Sequence, residues 1–324
     1  MKPLVLLQEQ VAEAVKNLHF PAEPADLYDP IRYTLNLGGK RMRPALVLLG
    51  SLSVGGKIED ALQPALGVEV FHNFTLLHDD IMDNAPLRRN KPTVFARWNT
   101  NVAILSGDVM FAEAFRLVSE APAAVLKPVL DVFLKAAVEV CEGQQWDMDF
   151  ESRQDVQIDE YLNMIRMKTA VLLGAALEMG ALCGGGCAET AKHLYEFGCN
   201  LGIAFQLHDD VLDVYGDPEK FGKRVGGDIV ANKKTYLKLR ALEKAGAEEK
   251  AELQLWYSGK PDDEEEKIAA VRALFDRLAV KQDTSALMNE YYQTAIASLR
   301  KASVLPEYEQ ALIAFAQNLM ERES

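Results

Sequence analysis

The sequence predicts an all-α protein, a single large helical bundle around a deep central cavity. Three observations carry that expectation. Apolar residues recur at helical spacing along most of the chain, and no alternating β pattern interrupts them. No Pro/Gly/Ser-rich linker or shift of composition divides the 324 residues, so one domain over 1–324 is expected. Finally, Leu77-His78-Asp79-Asp80-Ile81-Met82-Asp83 returns as Leu207-His208-Asp209-Asp210-Val211-Leu212-Asp213. Both copies lie in apolar helical sequence and are expected to face each other across the cavity.

Residues 4 to 18 show helical spacing, and His19 to Pro30, with three prolines, reads as a loop. A short helix from Ile31 stops at Gly38-Gly39, and Pro44 opens the next one. Lys40, Arg41 and Arg43 sit on the turn between them, where backbone N–H groups and cations can converge on an anion. Residues 58 to 83 form a long apolar helix that carries Phe71, His72, Phe74 and Thr75 and ends in the first acidic motif. The loop Asn84 to Thr93 then supplies Arg88 and Arg89, whose planar guanidinium groups suit bidentate phosphate binding. Helices follow over 101–119 and 123–148, the second ending Gly143-Gln144-Gln145-Trp146-Asp147. Tyr161 to Cys183 begins amphipathic and becomes nearly all apolar, with Lys168-Thr169 at the change. A lysine heading an apolar helix is costly to bury without an anion, which places that pair at the cavity wall. Gly184-Gly185-Gly186 break the chain before a helix over 188–215 that carries Gln206 and the second motif. Gly216 to Lys234, with Lys223, Asp228 and Lys233, is a long glycine-marked loop of the kind that serves as a lid. Residues 235 to 324 hold helical runs without a chemical motif and read as scaffold.

In a helix, residues i and i+4 share a face and i+1 lies beside them, so the three carboxylates of each motif can point the same way. Charges held that close stay ionised only beside a cation. Oxygen-only ligands favour Mg²⁺, with Mn²⁺ as a substitute, and Mg²⁺ completes its shell with waters and phosphate oxygens. Two facing tridents therefore point to a diphosphate clamped between them. The net charge of -13 argues against a nucleic-acid partner. Cys141, Cys183, Cys187 and Cys199 show neither zinc-ligand spacing nor a disulfide framework. Glu178 interrupts the longest apolar run, Ala170 to Cys183, so no segment reads as membrane-spanning and a cytoplasmic location is expected.

The two aspartate motifs, together with Gly38-Gly39-Lys40-Arg41-Met42-Arg43-Pro44, the Gly143-Gln144-x-x-Asp147 spacing, Gly222-Lys223, Asp228 and Lys233, resemble the trans-isoprenyl diphosphate synthases of the polyprenyl synthetase family. The ordered set covers most of the chain. The resemblance implies the isoprenoid synthase fold, a homodimer, and head-to-tail condensation of isopentenyl diphosphate with an allylic diphosphate. It implies metal binding by Asp79, Asp80, Asp83, Asp209, Asp210 and Asp213, and catalysis by these together with Lys168. Lys40, Arg43, His72 and Arg89 would meet isopentenyl diphosphate, and Arg88, Lys223 and Lys233 the allylic diphosphate. Thr169 and Gln206 join them as substrate-binding candidates. Asn90 stands where many family members have glycine directly after the two arginines. A class I terpene cyclase would usually replace the second aspartate motif, and a non-catalytic partner subunit would usually lose the motifs or the basic residues. This chain keeps both sets.

Burying a further five-carbon unit is favourable by roughly 4 kcal/mol, so only a steric floor ends elongation. Helical geometry alone favours Phe71 as that floor, since it lies about 80° round from Asp79 and Phe74 about 140°. The family resemblance instead implies Phe74, fifth before Asp79, with Thr75 next to it. The small Thr75 and the absence of an insertion within the first motif favour a C20 product over C15, with longer chains as the alternative.

Overall fold

The computed structural model describes residues 2–217, 225–258 and 263–321. In chain order the helices are α1 (Lys2–Lys16), α2 (Ala25–Asn36), α3 (Met42–Ser53), α4 (Ile58–Met82), α5 (Val94–Arg97), α6 (Thr100–Val118), α7 (Leu126–Ser152), α8 (Ile158–Ile165), α9 (Val171–Cys183), α10 (Ala188–Tyr215), α11 (Gly227–Val230), α12 (Tyr236–Lys244), α13 (Ala247–Tyr257), α14 (Glu264–Arg277), α15 (Val280–Lys301) and α16 (Pro306–Met320). Among the described residues the sheet content is one antiparallel hairpin, β1 (Leu87–Arg88) with β2 (Lys91–Pro92). The all-α expectation is met. The chain falls into two compact units, one of Met1–Lys135, Ala175–Tyr195 and Ala302–Ala311, the other of Ala136–Gly174, Glu196–Lys301 and Leu312–Ser324.

In the first unit α4 is the buried centre. Ala61, Pro64 to Phe71, Asn73, Leu77 and Asp80 are buried, and a helix apolar on most sides has to be wrapped by others. Helices α3 and α6 lie against it. The buried stripe of α6, Ala103, Ser106, Gly107, Met110, Ala114 and Leu117, follows the three-and-four spacing of a single helix face. Asn99 caps that helix by accepting from Val102 N–H at 2.9 Å. Helix α9 approaches α3 backbone to backbone: a Cβ on Gly180 would lie 1.9 Å from the Val47 carbonyl oxygen, and one on Gly50 2.5 Å from that of Leu177.

The second unit has two cores. Leu207 and Ile203 of α10 pack with Phe150, Tyr161, Met164, Tyr236 and Leu239. Val214, two turns on, packs with Ile229, Leu237, Leu253, Val271, Leu274 and Phe275. The second acidic motif occupies the stretch of α10 between these anchors.

Three expectations need correction. Pro30 lies inside α2, which starts at Ala25, so the loop ends sooner than its prolines suggest. A proline within a helix costs about 3 kcal/mol, and burial of Pro30, Ile31 and Leu35 offsets it. The loop 84–93 contains the hairpin, turned by Arg89 and Asn90 at φ 53° and 60°. Asparagine tolerates that left-handed region better than most residues, so Asn90 does here what glycine would do. Finally, Tyr161 to Cys183 is not one α-helix, because Arg166–Ala170 form a π-helical turn in which Val171 N–H donates to the Arg166 carbonyl. Such turns frequently occur at functional sites. Part of the glycine-marked loop, including Lys223, lies outside the described residues.

Candidate active site

The first acidic motif closes α4, where the helix dipole is negative and carboxylates are opposed. Asp79 and Asp80 lie in the last turn and Asp83 caps it. Arg88, held by β1, answers that charge: its Nε donates to Asp80 Oδ1 at 2.7 Å and a terminal nitrogen stands 3.7 Å from Asp79 Oδ2. Burial lifts the Asp80 carboxyl to about 6 against the pull of Arg88, with Asp79 and Asp83 adding to the rise. The three carboxylates are not equivalent, which corrects the simple trident. Asp80 is buried because i+1 lies 100° round the helix from the half-buried Asp79, and Asp83, just past the last helical residue, is exposed.

The same unit gathers the basic residues. Arg43, in the first turn of α3, contacts His72 of α4, with Nη1 and Nε2 3.1 Å apart. Burial lowers Arg43 to about 10 despite Glu69. Burial, then the charges of Arg43, Arg89, Arg88 and Arg41, hold His72 well below its usual range, so its ring is neutral. Arg43 Nε is buried without a hydrogen-bond acceptor among the described residues, as expected of a donor waiting for an anion. Arg89 donates to the Gly38 carbonyl, packing against Gly39, where a Cβ would lie 2.9 Å from its guanidinium. Lys40 is exposed. Arg41 does not join this group, contrary to its place in the sequence: it is buried and donates to Glu69 and to the Leu35 carbonyl. Its left-handed backbone, φ 46°, is where the chain turns the side chain inward.

Phe71 is wholly buried in a ring cluster with Phe74, Phe111 and Phe133, at centroid distances of 5.6, 6.0 and 5.4 Å. Phe74 is half-buried and also stacks edge-on with His78. Thr75 donates to the His72 carbonyl at 2.8 Å. Phe111 and Phe133 were not anticipated as part of this wall.

The second unit encloses a cavity of about 570 Å³ lined by Lys168, Thr169, Gln206, Asp209, Asp210, Asp213, Asp228 and Lys233, together with Asp147, Glu151, Tyr161 and Lys234. Lys168 sits on the π turn and donates to Asp147 Oδ2 at 2.6 Å. Gly143 lets that turn approach α7, since a Cβ there would lie 2.3 Å from Lys168 N. Thr169 donates to Gln206 at 3.3 Å, Gln206 to Asp210 Oδ1 at 3.4 Å, and the Tyr161 hydroxyl to Asp210 Oδ2 at 2.5 Å. Burial, followed by the Asp228 charge, raises Asp210 to about 8. The backbone N–H of Asp228 donates to Asp213 Oδ2 at 3.0 Å, and Lys233 Nζ lies 4.0 Å from Asp228 Oδ1. Sequence reasoning singled out Lys168 but missed its partner. The Gly-Gln-x-x-Asp spacing was the available signal for Asp147, whereas nothing in the sequence marks Tyr161.

Among the described residues no three metal-ligating side chains stand close enough to enclose a cation by themselves. The chemistry of the cavity nonetheless fits Mg²⁺ with a diphosphate. Among the described residues the lining holds six carboxylates (Asp147, Glu151, Asp209, Asp210, Asp213, Asp228) and three lysines, an oxygen-rich donor set of the kind Mg²⁺ takes. Mg²⁺ uses one or two carboxylates and takes its remaining oxygens from phosphate and water.

Residues 24–274 match the family model described as polyprenyl synthetase. A geranylgeranyl diphosphate synthase of Methanosarcina mazei is 42% identical over 82% of this chain and 80% of its own length. A geranylfarnesyl diphosphate synthase of Natronomonas pharaonis is 38% identical over 83% of this chain and 82% of its own. A crystal structure of a geranylgeranyl pyrophosphate synthase superposes with a TM-score of 0.94 at 45% identity, covering 99% of each chain.

Proposed function

The chain belongs to the polyprenyl synthetase family and is a prenyltransferase of the short-chain trans-isoprenyl diphosphate synthase type, and from that premise we propose that it condenses isopentenyl diphosphate with an allylic diphosphate to an all-trans C20 diphosphate. The observation that carries this reading is the division of labour between two polar sites. One is an arginine–histidine group with an unsatisfied buried donor, the other an acidic cavity edged by lysines.

In this reading Arg43 and Arg89 bind isopentenyl diphosphate, with the neutral His72 ring adding a hydrogen bond without repelling them. Lys40 reaches the same phosphate from the turn. Lys168, Lys233 and Lys223 hold the allylic diphosphate, and Arg88 turns from Asp79 and Asp80 toward it. Asp79, Asp83, Asp209 and Asp213 would hold Mg²⁺, or Mn²⁺, with Asp80 and Asp210 behind them; the bound ions would neutralise charge on the diphosphate as it departs. The allylic C–O bond breaks and its electron pair leaves with the diphosphate. The double bond of isopentenyl diphosphate then attacks the allylic carbon, and a proton is lost, with released diphosphate as the acceptor. The basic groups stabilise the leaving charge without forming a covalent link. Thr169 and Gln206 position the reacting end. In the same reading 1–324 is one functional domain, since the reaction calls on both acidic motifs.

Further parts of the reading concern the assembly. Ile104, Leu105, Phe111 and Phe115 leave an exposed apolar face on α6, which supports a homodimer. No helix among the described residues is long and apolar enough to cross a membrane, and no disulfide joins the cysteines, which supports a cytoplasmic location. A C25 product is the second reading, favoured by the geranylfarnesyl diphosphate synthase relative. Incubation with isopentenyl diphosphate, each allylic primer and Mg²⁺, followed by mass spectrometry of dephosphorylated products, tests the proposal. A C20 alcohol is expected, and no elongated product from any primer overturns it.

A further inference from the structure

Lys267 of α14 and Lys238 of α12 are buried side chains, 0% and 7% exposed. Burying two ammonium groups side by side is costly unless each finds strong acceptors. Neither is paired with a carboxylate among the described residues. Lys267 Nζ donates to Asn232 Oδ1 at 2.5 Å and Lys238 Nζ to the Asn232 carbonyl at 3.2 Å, and both face the ring of Tyr257 at 5.3 and 3.7 Å. Asn232 thus receives both bonds, one on its side chain and one on its backbone. It adopts φ 60° and directly precedes Lys233.

The turn that contains it is fixed at its other end by the second acidic motif. Gly226 N–H donates to the Asp213 carbonyl at 2.6 Å and Asp228 N–H to the Asp213 carboxylate at 3.0 Å. Lys233 N–H closes the turn on the Asp228 carbonyl at 2.9 Å. Within the turn Asn232 N–H donates to the Ile229 carbonyl at 3.2 Å, and from outside it the pair of buried lysines holds the Asn232 side chain and carbonyl. We propose that Lys267, with Lys238, is a positioning residue for the prenyl-transfer reaction, holding Asn232 so that Lys233 is presented to the diphosphate in the cavity. The proposal rests on the prenyltransferase reading of that cavity.

The test compares Lys267→Met, Asn232→Gly and the double variant with the wild type. Glycine keeps the left-handed turn available while removing the side-chain acceptor. Each single variant is expected to raise KM for the allylic diphosphate, or lower kcat, by roughly tenfold with KM for isopentenyl diphosphate unchanged. The double variant is expected to be no worse than the poorer single one, since both remove one bond. Calorimetric titration with inorganic diphosphate and Mg²⁺ should show the same roughly tenfold weakening, and it decides the matter if the wild type makes no prenyl product, a result that would remove the reaction assignment alone. A lower Tm with unchanged allylic kinetics and unchanged diphosphate affinity overturns the proposal. So do multiplicative effects in the double variant. Should Lys267→Met not fold, Asn232→Gly carries the same readouts.

Discussion

Asp79 and Asp209 open the two acidic motifs in the closing turns of α4 and α10, where the helix dipole already disfavours negative charge. Asp79→Ala or Asp209→Ala should therefore lower turnover by several orders of magnitude while circular dichroism and Tm stay at or above wild type, because deleting one of several crowded charges relieves repulsion. A folded Asp209→Ala protein with near-normal turnover would sink the metal–diphosphate reading. Chelation should abolish product formation, and Mg²⁺ or Mn²⁺ should restore it. Glu178 makes a separate point about stability. Burial lifts its carboxyl from 4.5 to about 7, with Lys135 acting in the opposite sense. The folded value exceeds the unfolded one, so this group is least unfavourable below about pH 4.5 and destabilises progressively as the pH rises toward 7. Glu178→Gln should raise Tm by a few degrees at pH 8 and change it little near pH 5. Equal shifts at both pH values would rule out titration as the cause.

Among the elements, the π turn carries the sharpest expectation. Gly143→Ala would press a methyl group against the Lys168 backbone, at 2.3 Å, and so move Lys168 away from Asp147 and the cavity. Turnover should fall by one to two orders of magnitude with a smaller loss in Tm, measured by steady-state kinetics and thermal denaturation. That turn also shows where sequence reading stops. Periodicity located the long helices because burial imposes it, and the acidic motifs stood out because they repeat. The insertion of one residue per turn over Arg166–Ala170 leaves no mark in residue type, so the segment read as continuous helix. Pairs such as Lys168–Asp147 and Tyr161–Asp210 join residues 21 and 49 positions apart, set by packing rather than by any local pattern. The hairpin was hidden for a different reason: its strands are two residues long, too short to alternate. Arg41 was misread because a turn of three cations looks the same whichever of them points inward.

At the scale of the whole molecule the product length is the readable outcome. Phe74 is half-buried at the ring cluster whereas Phe71 is fully enclosed by it. Phe74→Ala should thus shift the product to C25 or longer with modest destabilisation. Phe71→Ala should cost about 3–5 kcal/mol in stability and lengthen the product less. Mass spectrometry of products and denaturant titration separate the two effects, and an unchanged product from Phe74→Ala would move the floor to Phe71 or to a facing helix.

The backbone approach of α9 to α3 bears on how this protein can be changed by selection. At Gly50, Gly180 and Gly184 the added atom of any other residue would sit 2.5, 1.9 and 2.5 Å from a neighbouring carbonyl oxygen, and no rotamer removes a Cβ. In a saturation library these positions should be empty columns, including for alanine, the usual first choice when a helix is to be stiffened. Improved variants will arise at exposed positions elsewhere, and the two helices will be inherited together: a graft that exchanges one of them between relatives should fail unless the other travels with it.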